Sequence, residues 1–304
     1  MSTTSDAFGP ALDVVQLIDH RKITWSNVRQ THYWLHKRFH YAYPGPVRDL
    51  HQRLIVVPPD HYGDQRLRAY SLRVDGAQGA ESSMIDTFGN RVLTYHLPEV
   101  AADVSFEVTL EVERAGYPER LPALDAGIAA TFLTATALTA ADDRIATVAR
   151  ELAAQHREPF SLAEAINTWV AETMRYGWGV THVGTSAAEA LALGQGLCQD
   201  YAHIMLALCR AAGLPARYVS GHLLGEGGSH AWVEALLPAD GGGYVAAPFD
   251  PTNHRRANLS YITIAVGRDY RDVSPTSGSY IAPYQGRLTA SKRAGLTHVE
   301  YAAV

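Results

Sequence analysis

Three residues, in chain order a cysteine, a histidine and an aspartate, could together carry nucleophilic chemistry. Cys198 follows the turn Gly194-Gln-Gly-Leu and begins a predicted helix that runs to about Ala212, where Gly213 and Pro215 end it. In the first turn of a helix, the dipole stabilises a thiolate, and the free backbone N–H groups can face a developing oxyanion. The position therefore suits a thiol nucleophile, and a packing role is the alternative for a lone cysteine there.

A thiol nucleophile needs a base, commonly an imidazole that a third group orients. His230 begins a strand-like run, and Asp250 ends the next run, directly before Pro251. If the two strands are neighbours, the carboxylate of Asp250 can accept the second N–H of the His230 ring. Taken singly, His230 could be structural or exposed, and Asp250 could be a turn residue. A thiol at a helix start, followed by histidine and aspartate on successive strands, is a recurring arrangement for acyl transfer.

Only two cysteines are present, Cys198 and Cys209, which excludes a disulfide framework and a cysteine-rich zinc module. On one helix they lie about three turns apart, ~16 Å along the axis. A disulfide tolerates Cα separations only up to about 7 Å. If the segment is helical, the two thiols cannot pair, and Cys209 is predicted to be a small buried apolar residue.

Four residues close to these in sequence are candidates for positioning them or for contacting substrate. Asp200, in the first helical turn, is expected to turn toward a backbone or cationic partner, because a carboxylate facing the thiol would raise its pKa. Trp232 lies on the same strand face as His230, so it either shields the thiol–imidazole pair from water or belongs to the core. The four candidates are Gln199, Asp200, Trp232 and Asn253, the last expected to fix the turn after Asp250.

Alternating strand-like runs with Gly, Pro and Asn turns between them occupy the first part of the chain. They predict an antiparallel, all-β, sandwich-like domain over residues 26–114, preceded by an extension over residues 1–25. Residues 115–135 are predicted to be a connector. The strand-like runs are Thr31–Tyr43, Arg53–Val57, Leu67–Val74, Arg91–Leu97 and Ala102–Val112.

Helical periodicity and then strands follow, so residues 136–304 are predicted to form one α+β domain with helices packed on an antiparallel sheet. The run Ser186-Ala-Ala-Glu189 opens a short predicted helix that ends at Gly194. The predicted strands are Arg217–Leu224, His230–Leu237 and Tyr244–Phe249. Cys198, His230 and Asp250 all fall in this domain.

The composition is ordinary: 304 residues, 47% hydrophobic and 19% charged, with a net charge of −5. Nucleic acids and anionic membranes need a basic footprint, so neither is expected as a partner. No window has the ~18–20 apolar residues of a spanning helix, and the first residues lack the pattern of a secretory signal. The expected compartment is the cytoplasm, where thiols stay reduced.

The sequence resembles the transglutaminase-like superfamily, specifically its bacterial branch assigned as cysteine proteases. The run Thr31–Val47 and the turn Asp86-Thr-Phe-Gly-Asn90 are similar to the β-rich domain that precedes the core in this branch. Residues 1–25 lie outside the resemblance, and His222 stands where related sequences usually have an aromatic residue. The core segments that carry the resemblance are Gly196–His203, Cys209–Gly221, Ser229–Glu234, Phe249–Asn253 and Val266–Pro275.

By this resemblance Cys198 is the nucleophile, His230 the base and then the acid, and Asp250 the group that orients the imidazole. The resemblance implies a papain-like core, a thioester acyl-enzyme formed from a peptide or amide, a peptide or protein substrate, and no metal or other cofactor. Hydrolysis is expected rather than transglutaminase-type transfer to an amine, because excluding water demands a dedicated closed tunnel.

Three alternatives remain beside hydrolysis: amine acyl transfer with protein cross-linking, arylamine N-acetyl transfer, and a non-catalytic peptide-binding module. Arylamine N-acetyltransferases approach the cysteine through Arg-Gly-Gly, whereas Gly194-Gln-Gly-Leu precedes Cys198 here. A binding module that has lost catalysis usually lacks one of the three residues, and all three are present. The β-rich domain is the better candidate for recognising a peptide or covering the cleft.

Overall fold

The computed structural model describes residues 15–115 and 124–302. Within these residues the chain forms two compact units. The β unit comprises residues 15–115, 223–228 and 275–302, and the core unit comprises residues 124–222 and 229–274. No helix in the described ranges has both the length and the apolar character that crossing a membrane requires.

The β unit contains two antiparallel sheets, as alternation of buried and exposed residues predicts. The strands are β1 (Val28–Ala42), β2 (Val47–Leu54), β3 (His61–Tyr62), β4 (Gln65–Asp75), β5 (Ala80–Ile85), β6 (Arg91–Val100), β7 (Asp103–Ala115), β15 (Thr276–Ile281) and β16 (Arg287–Tyr301). The sheet orders are β16-β1-β7-β4-β3 and β15-β2-β6-β5. On β7, Val104, Phe106 and Val108 are almost completely buried, and the Phe106 ring lies 5.5 Å from that of Tyr95 on the other sheet.

The end of the chain differs from the prediction, which assigned all of residues 136–304 to the catalytic domain. Strand β15 pairs with β2, and β16 pairs with β1 from Tyr301 opposite Val28 to Arg287 opposite Ala42. Without them, the buried strands β1 and β2 would each present an unpaired edge, which folded proteins avoid. The β unit therefore draws on both ends of the chain, and the core unit ends near Ser274.

The segments flanking the predicted β domain are partly described. Of the predicted extension over residues 1–25, residues 15–25 are described and contain the short 3-10 turn His20–Lys22. A second 3-10 turn, Trp25–Asn27, begins at the last residue of the extension. Of the predicted connector, residues 124–135 are described and contain helix α1 (Ala126–Thr131). The remainder of both segments lies outside the described residues.

The core unit has the predicted α+β composition. Its helices after α1 are α2 (Asp143–Gln155), α3 (Pro159–Thr173), α4 (Ala187–Leu193), α5 (Cys198–Ala211) and α6 (Tyr270–Val273). Helix α4 begins with a capping box, in which the side chains of Ser186 and Glu189 each accept the other's backbone N–H. Helix α5 is buried from Asp200 to Arg210 and packs against α2, α3 and α4.

A five-stranded sheet forms the second layer of the core unit. Its strands are β10 (Ala216–Leu223), β11 (His230–Pro238), β12 (Tyr244–Asp250), β13 (Arg255–Arg256) and β14 (Tyr261–Gly267), with a separate parallel pair β8 (Arg175–Tyr176) and β9 (Gln195–Gly196). Their order in the sheet is β13-β12-β11-β10-β14. Neighbouring strands β10 and β11, β11 and β12, and β12 and β13 pair antiparallel, and helix α5 lies against β11.

Candidate active site

The three residues predicted to do chemistry each occupy the end of an element. Cys198 is the first residue of α5, His230 is the first residue of β11, and Asp250 is the last residue of β12. Because β11 and β12 are antiparallel neighbours, the start of β11 and the end of β12 meet at the same edge of the sheet. The helix that carries Cys198 packs against the strand that His230 begins.

The backbone before Cys198 depends on two glycines. Helix α4 ends at Gly194 in the left-handed conformation, with φ of 64°, which glycine adopts without steric cost. A Cβ added to Gly196 would lie 2.5 Å from Oδ2 of Asp200, a separation too short for any side chain. The Gly-x-Gly turn therefore lets the chain pass close to Asp200 before it enters α5.

Asp200 turns to the backbone, as the sequence predicts. Its Oδ2 accepts hydrogen bonds from the backbone N–H of Leu197 and from the hydroxyl of Thr181, each at 2.7 Å. The residue is 1% exposed, and burial raises the pKa of its carboxyl despite the two hydrogen bonds. Asp200 thus ties the residue before Cys198 to the first turn of α5. Thr181 is a partner that the sequence did not single out.

The two cysteines occupy contrasting positions on one helix. Both are free thiols; Cys198 is partly exposed, whereas Cys209 is buried. Burial raises the pKa of Cys209 to about 12, so this thiol is unreactive at neutral pH. The predicted helix is present over Cys198–Ala211, which confirms that the two thiols are too far apart to bridge.

A buried imidazole–carboxylate pair lies at the edge of the sheet. Nε2 of His230 is 2.7 Å from Oδ2 of Asp250, and the two side chains are 1% and 0% exposed. Because Asp250 engages Nε2, Nδ1 is the ring nitrogen that can exchange a proton with a thiol. This is the reverse of the serine-protease template, in which the aspartate holds Nδ1.

Several donors stabilise the charged form of Asp250. Oδ2 also accepts from the Tyr261 hydroxyl at 2.6 Å and from Nδ2 of Asn253 at 2.7 Å. Oδ1 accepts from the backbone N–H groups of Thr252 at 3.0 Å and Asn253 at 3.2 Å. Burial alone would raise the pKa of Asp250, but the hydrogen bonds, that of His230 above all, hold it below its usual value. Asn253 lies in the turn that it was predicted to fix, and it holds the Asp250 carboxylate through both its side chain and its backbone.

Trp232 is both a core residue and a neighbour of the imidazole. It is 1% exposed, and its ring stacks on that of His230 with centroids 6.2 Å apart and planes at 25°. A Cβ at Gly221 would lie 2.5 Å from the indole, so glycine at that position makes room for the ring. Trp232 is therefore a core residue, which is one of the two alternatives, and its ring also lies beside the imidazole of His230.

Tyr261 is a site residue that the sequence did not reveal. Its hydroxyl donates to Asp250 and accepts from Nε of Arg255 at 2.8 Å, and its ring meets Trp232 edge-on at 5.3 Å. It begins β14, at the opposite edge of the sheet from β13, so no local spacing links it to Asp250. Gln199 is partly exposed and makes only a long contact, 3.5 Å from its Nε2 to the His182 carbonyl.

A thiol at the start of a buried helix, with an imidazole and a carboxylate on adjacent antiparallel strands, defines the papain-like class of fold and site. Residues 146–251 match the sequence profile of the transglutaminase-like superfamily, and residues 33–113 match the bacterial transglutaminase-like N-terminal region. The chain thus contains a transglutaminase-like core and a bacterial transglutaminase-like N-terminal region, as its motifs predict.

Similar proteins occur in mycobacteria and have no assigned activity. An uncharacterised Mycobacterium leprae protein is 39% identical over 158 residues, which are 49% of this chain and 54% of that protein. The match thus spans about half the length of that relative. Uncharacterised proteins of Mycobacterium bovis and Mycobacterium tuberculosis are 29% identical over 267 residues, covering 79% of this chain and 85% of theirs.

One solved structure shares the fold over most of the chain. It is a Cytophaga hutchinsonii protein provisionally described as a cysteine protease, 22% identical, with a TM-score of 0.72. The superposition covers 90% of this chain and 93% of that one. At this identity the likeness establishes the shared fold, a β-rich region with a papain-like core.

Proposed function

We propose that the protein is a cysteine-dependent hydrolase of peptide or amide bonds that acts through a thioester on Cys198. The observation that carries the proposal is the buried His230–Asp250 pair, in which Asp250 engages Nε2 of the ring. Proton exchange with the thiol is then assigned to Nδ1. His230 begins the strand against which the Cys198 helix packs, and Asp250 ends the neighbouring strand.

The reaction proceeds in two steps, acylation of Cys198 and hydrolysis of the resulting thioester. Nδ1 of His230 takes the thiol proton, the Cys198 sulfur attacks the carboxamide carbon, and the imidazolium returns the proton to the departing amine. This leaves a thioester. His230 then deprotonates a water molecule that attacks the thioester, and the proton passes to the leaving sulfur as the acid product departs. Backbone N–H groups in the first turn of α5 stabilise the oxyanion in both steps.

Asp250 has the role of orienting the ring and stabilising its protonated form. A carboxylate that keeps a pKa below its usual value remains charged at neutral pH, and its charge favours the imidazolium formed in each step. Asn253 keeps this carboxylate in place, and Trp232 excludes water beside the ring. Asp200 fixes the first turn of α5, and Gln199, partly exposed next to the thiol, is placed to contact substrate.

Hydrolysis is proposed over transfer to an amine because the second step needs only water, whereas transfer requires that water be kept out. No cofactor takes part in either step. The partners that suit this chemistry are peptides or proteins. The proposed compartment is the cytoplasm, where two free cysteines stay reduced. A non-catalytic peptide-binding module is the second candidate and is distinguished by the same experiment.

Trapping the acyl-enzyme tests the proposal. The full chain is mixed with a library of peptide thioesters and amides, quenched in acid within seconds and weighed by mass spectrometry. We expect an acyl adduct on the peptide that contains Cys198, absent in Cys198→Ala and retained in the matched variant Cys209→Ala. If water is the acceptor, free acid should remain the predominant product when an amine is added.

Three results would contradict the proposal. Turnover that survives in Cys198→Ala would exclude the thiol nucleophile. Predominant amide product in the presence of amine would replace hydrolysis by acyl transfer. Saturable peptide binding with no adduct and no turnover, equal in wild type and Cys198→Ala, would establish the binding module instead.

A further inference from the structure

The β unit contains a second group of histidine and aspartate side chains. Asp49 and His51 lie on β2, and His96 lies on β6. One potential metal-ligand atom from each, an imidazole nitrogen or a carboxylate oxygen, lies within 4.8 Å of the other two. In the described ranges, no other three His, Cys, Asp or Glu residues meet this spacing.

The strand register brings the three side chains together. Asp49 and His51 are two residues apart and share one face of β2, while Leu50 between them is 1% exposed and faces the opposite side. His51 is directly opposite His96 in the antiparallel pair of β2 and β6. The two imidazole rings stack with centroids 4.5 Å apart and planes at 7°.

Two of the three distances between the candidate ligand atoms are close to those of a coordination sphere. Oδ1 of Asp49 lies 2.8 Å from Nε2 of His96 and 3.1 Å from Nε2 of His51. Zinc bonds of ~2.0–2.1 Å to nitrogen and oxygen place two tetrahedral ligands roughly 3.3 Å apart. The two Nε2 atoms lie within 4.8 Å of each other. An ion can enter between the three atoms once the two nearly parallel rings tilt so that both Nε2 lone pairs face it.

The group is open to solvent and to an arriving ion. The side chains of Asp49, His51 and His96 are 50%, 52% and 44% exposed. Their cross-strand neighbours on the outer sides are small: Ser279 is opposite His51 on β15, and Ala80 is opposite His96 on β5. Neither neighbour is large enough to cover the rings.

We propose that Asp49, His51 and His96 bind a divalent transition-metal ion of the zinc class through two imidazole nitrogens and one carboxylate oxygen. Calcium and magnesium prefer all-oxygen ligands, whereas imidazoles suit Zn²⁺, Ni²⁺ and Cu²⁺. Each ring binds through the Nε2 lone pair with its proton on Nδ1. Three protein ligands leave a position for water or another ligand, and the ion cross-links two neighbouring strands.

Calorimetric titration of the full, tag-free chain with ZnCl₂ tests the site. We expect one ion per chain, with affinity reduced at least tenfold in His51→Ala and in His96→Ala. The matched control is His298→Ala, since His298 is also exposed and also contacts a second histidine, His32, with ring centroids 5.3 Å apart. Bound Co²⁺ should give the visible absorption of a site with nitrogen and oxygen ligands.

Circular dichroism shows whether each histidine variant folds. Asp49→Asn, which keeps the shape of the side chain, provides a second test if a histidine variant does not fold. It should also weaken zinc binding at least tenfold. Absence of saturable binding to wild type at micromolar zinc would overturn the proposal. So would equal affinities of wild type, His51→Ala, His96→Ala and Asp49→Asn. None of these residues belongs to the proposed active site, so the outcome does not depend on peptide turnover.

Discussion

Two histidine–aspartate contacts of nearly equal length occur in the two units, and burial gives them different chemistry. His230 and Asp250 are 2.7 Å apart and almost fully buried, whereas His96 and Asp49 are 2.8 Å apart and about half exposed. In the buried pair, water cannot compete for the imidazole, so the carboxylate fixes one ring nitrogen. In the exposed pair, ions and water reach the same atoms.

The surroundings of the two carboxylates explain this difference. Tyr261, Asn253 and His230 donate to Oδ2 of Asp250, and these donors offset the cost of burying its charge. Asp49 accepts from the two imidazoles at the surface of the sheet, with its backbone in the left-handed region at φ of 53°. A short His–Asp distance is therefore compatible with either an orienting pair or a set of metal ligands. The burial of the carboxylate and the donors around it distinguish the two cases.

The largest expected effect is on catalysis. Asp250→Asn should lower kcat/KM by about 10²–10⁴-fold, because asparagine lacks the charge that stabilises the imidazolium. Asp49→Asn, the same substitution at the exposed pair, should leave kcat/KM unchanged. Both are measured by steady-state hydrolysis of a substrate found by acyl-enzyme trapping. If kcat/KM falls by less than about tenfold in Asp250→Asn, the buried carboxylate does not have the orienting role.

The next effect is on stability and has a defined dependence on pH. The folded-state pKa of Asp250 lies below the unfolded value of about 3.9, so its contribution is present above that value and lost as pH falls through the folded pKa. At pH 7, Asp250→Asn should reduce the free energy of unfolding by about 1.5–3 kcal/mol.

Urea denaturation between pH 2 and 7 measures this dependence. The difference between wild type and Asp250→Asn should narrow below about pH 4, near the ordinary pKa of an aspartate. Asp49→Asn serves as the control. It removes a carboxylate whose charge is screened by water, so its stability should follow the wild-type curve. A gap that stays constant down to pH 2 would show that packing, and not the charge of Asp250, is responsible.

A smaller effect is expected from one donor to the buried carboxylate. Tyr261→Phe removes the hydroxyl bonded to Oδ2 of Asp250, and should lower kcat/KM about three- to tenfold and stability by about 1 kcal/mol. Tyr41→Phe in the β unit removes a hydroxyl bonded to Thr276 at 2.6 Å and should cost similar stability without altering kcat/KM. Equal kcat/KM in the two variants would limit Tyr261 to packing.

Much of the candidate site was visible in the sequence because its signals are local. The Gly-x-Gly turn, the start of α5 and the ends of two strands fix where Cys198, His230 and Asp250 lie along the chain. The pairing of β11 with β12 then brings the last two together. Tyr261 gave no such signal, since it reaches Asp250 from β14, which lies beyond β10 in the sheet.

The same reasoning explains which parts of the fold were missed. Alternation predicted β7 because one of its faces is deeply buried, whereas all six residues of β5 are exposed and show no alternation. Strand β16 is mostly exposed as well, and its partner β1 lies at the other end of the chain. Their assignment to the β unit depends on long-range pairing that residue types alone do not encode.

The smallest expected effect is on the rate of chemical modification of histidines, which is measured for both His–Asp pairs in one sample. Diethylpyrocarbonate modifies accessible neutral imidazoles, so His51 and His96 should react much faster than buried His230, as followed by mass spectrometry of peptides. Zinc at twice its dissociation constant should slow His51 and His96 about threefold, because one third of the sites then remain unliganded. His298 provides the internal control and should react at the same rate with or without zinc. If zinc slows His298 and His51 equally, the protection is nonspecific and the exposed pair differs from the buried one in accessibility alone.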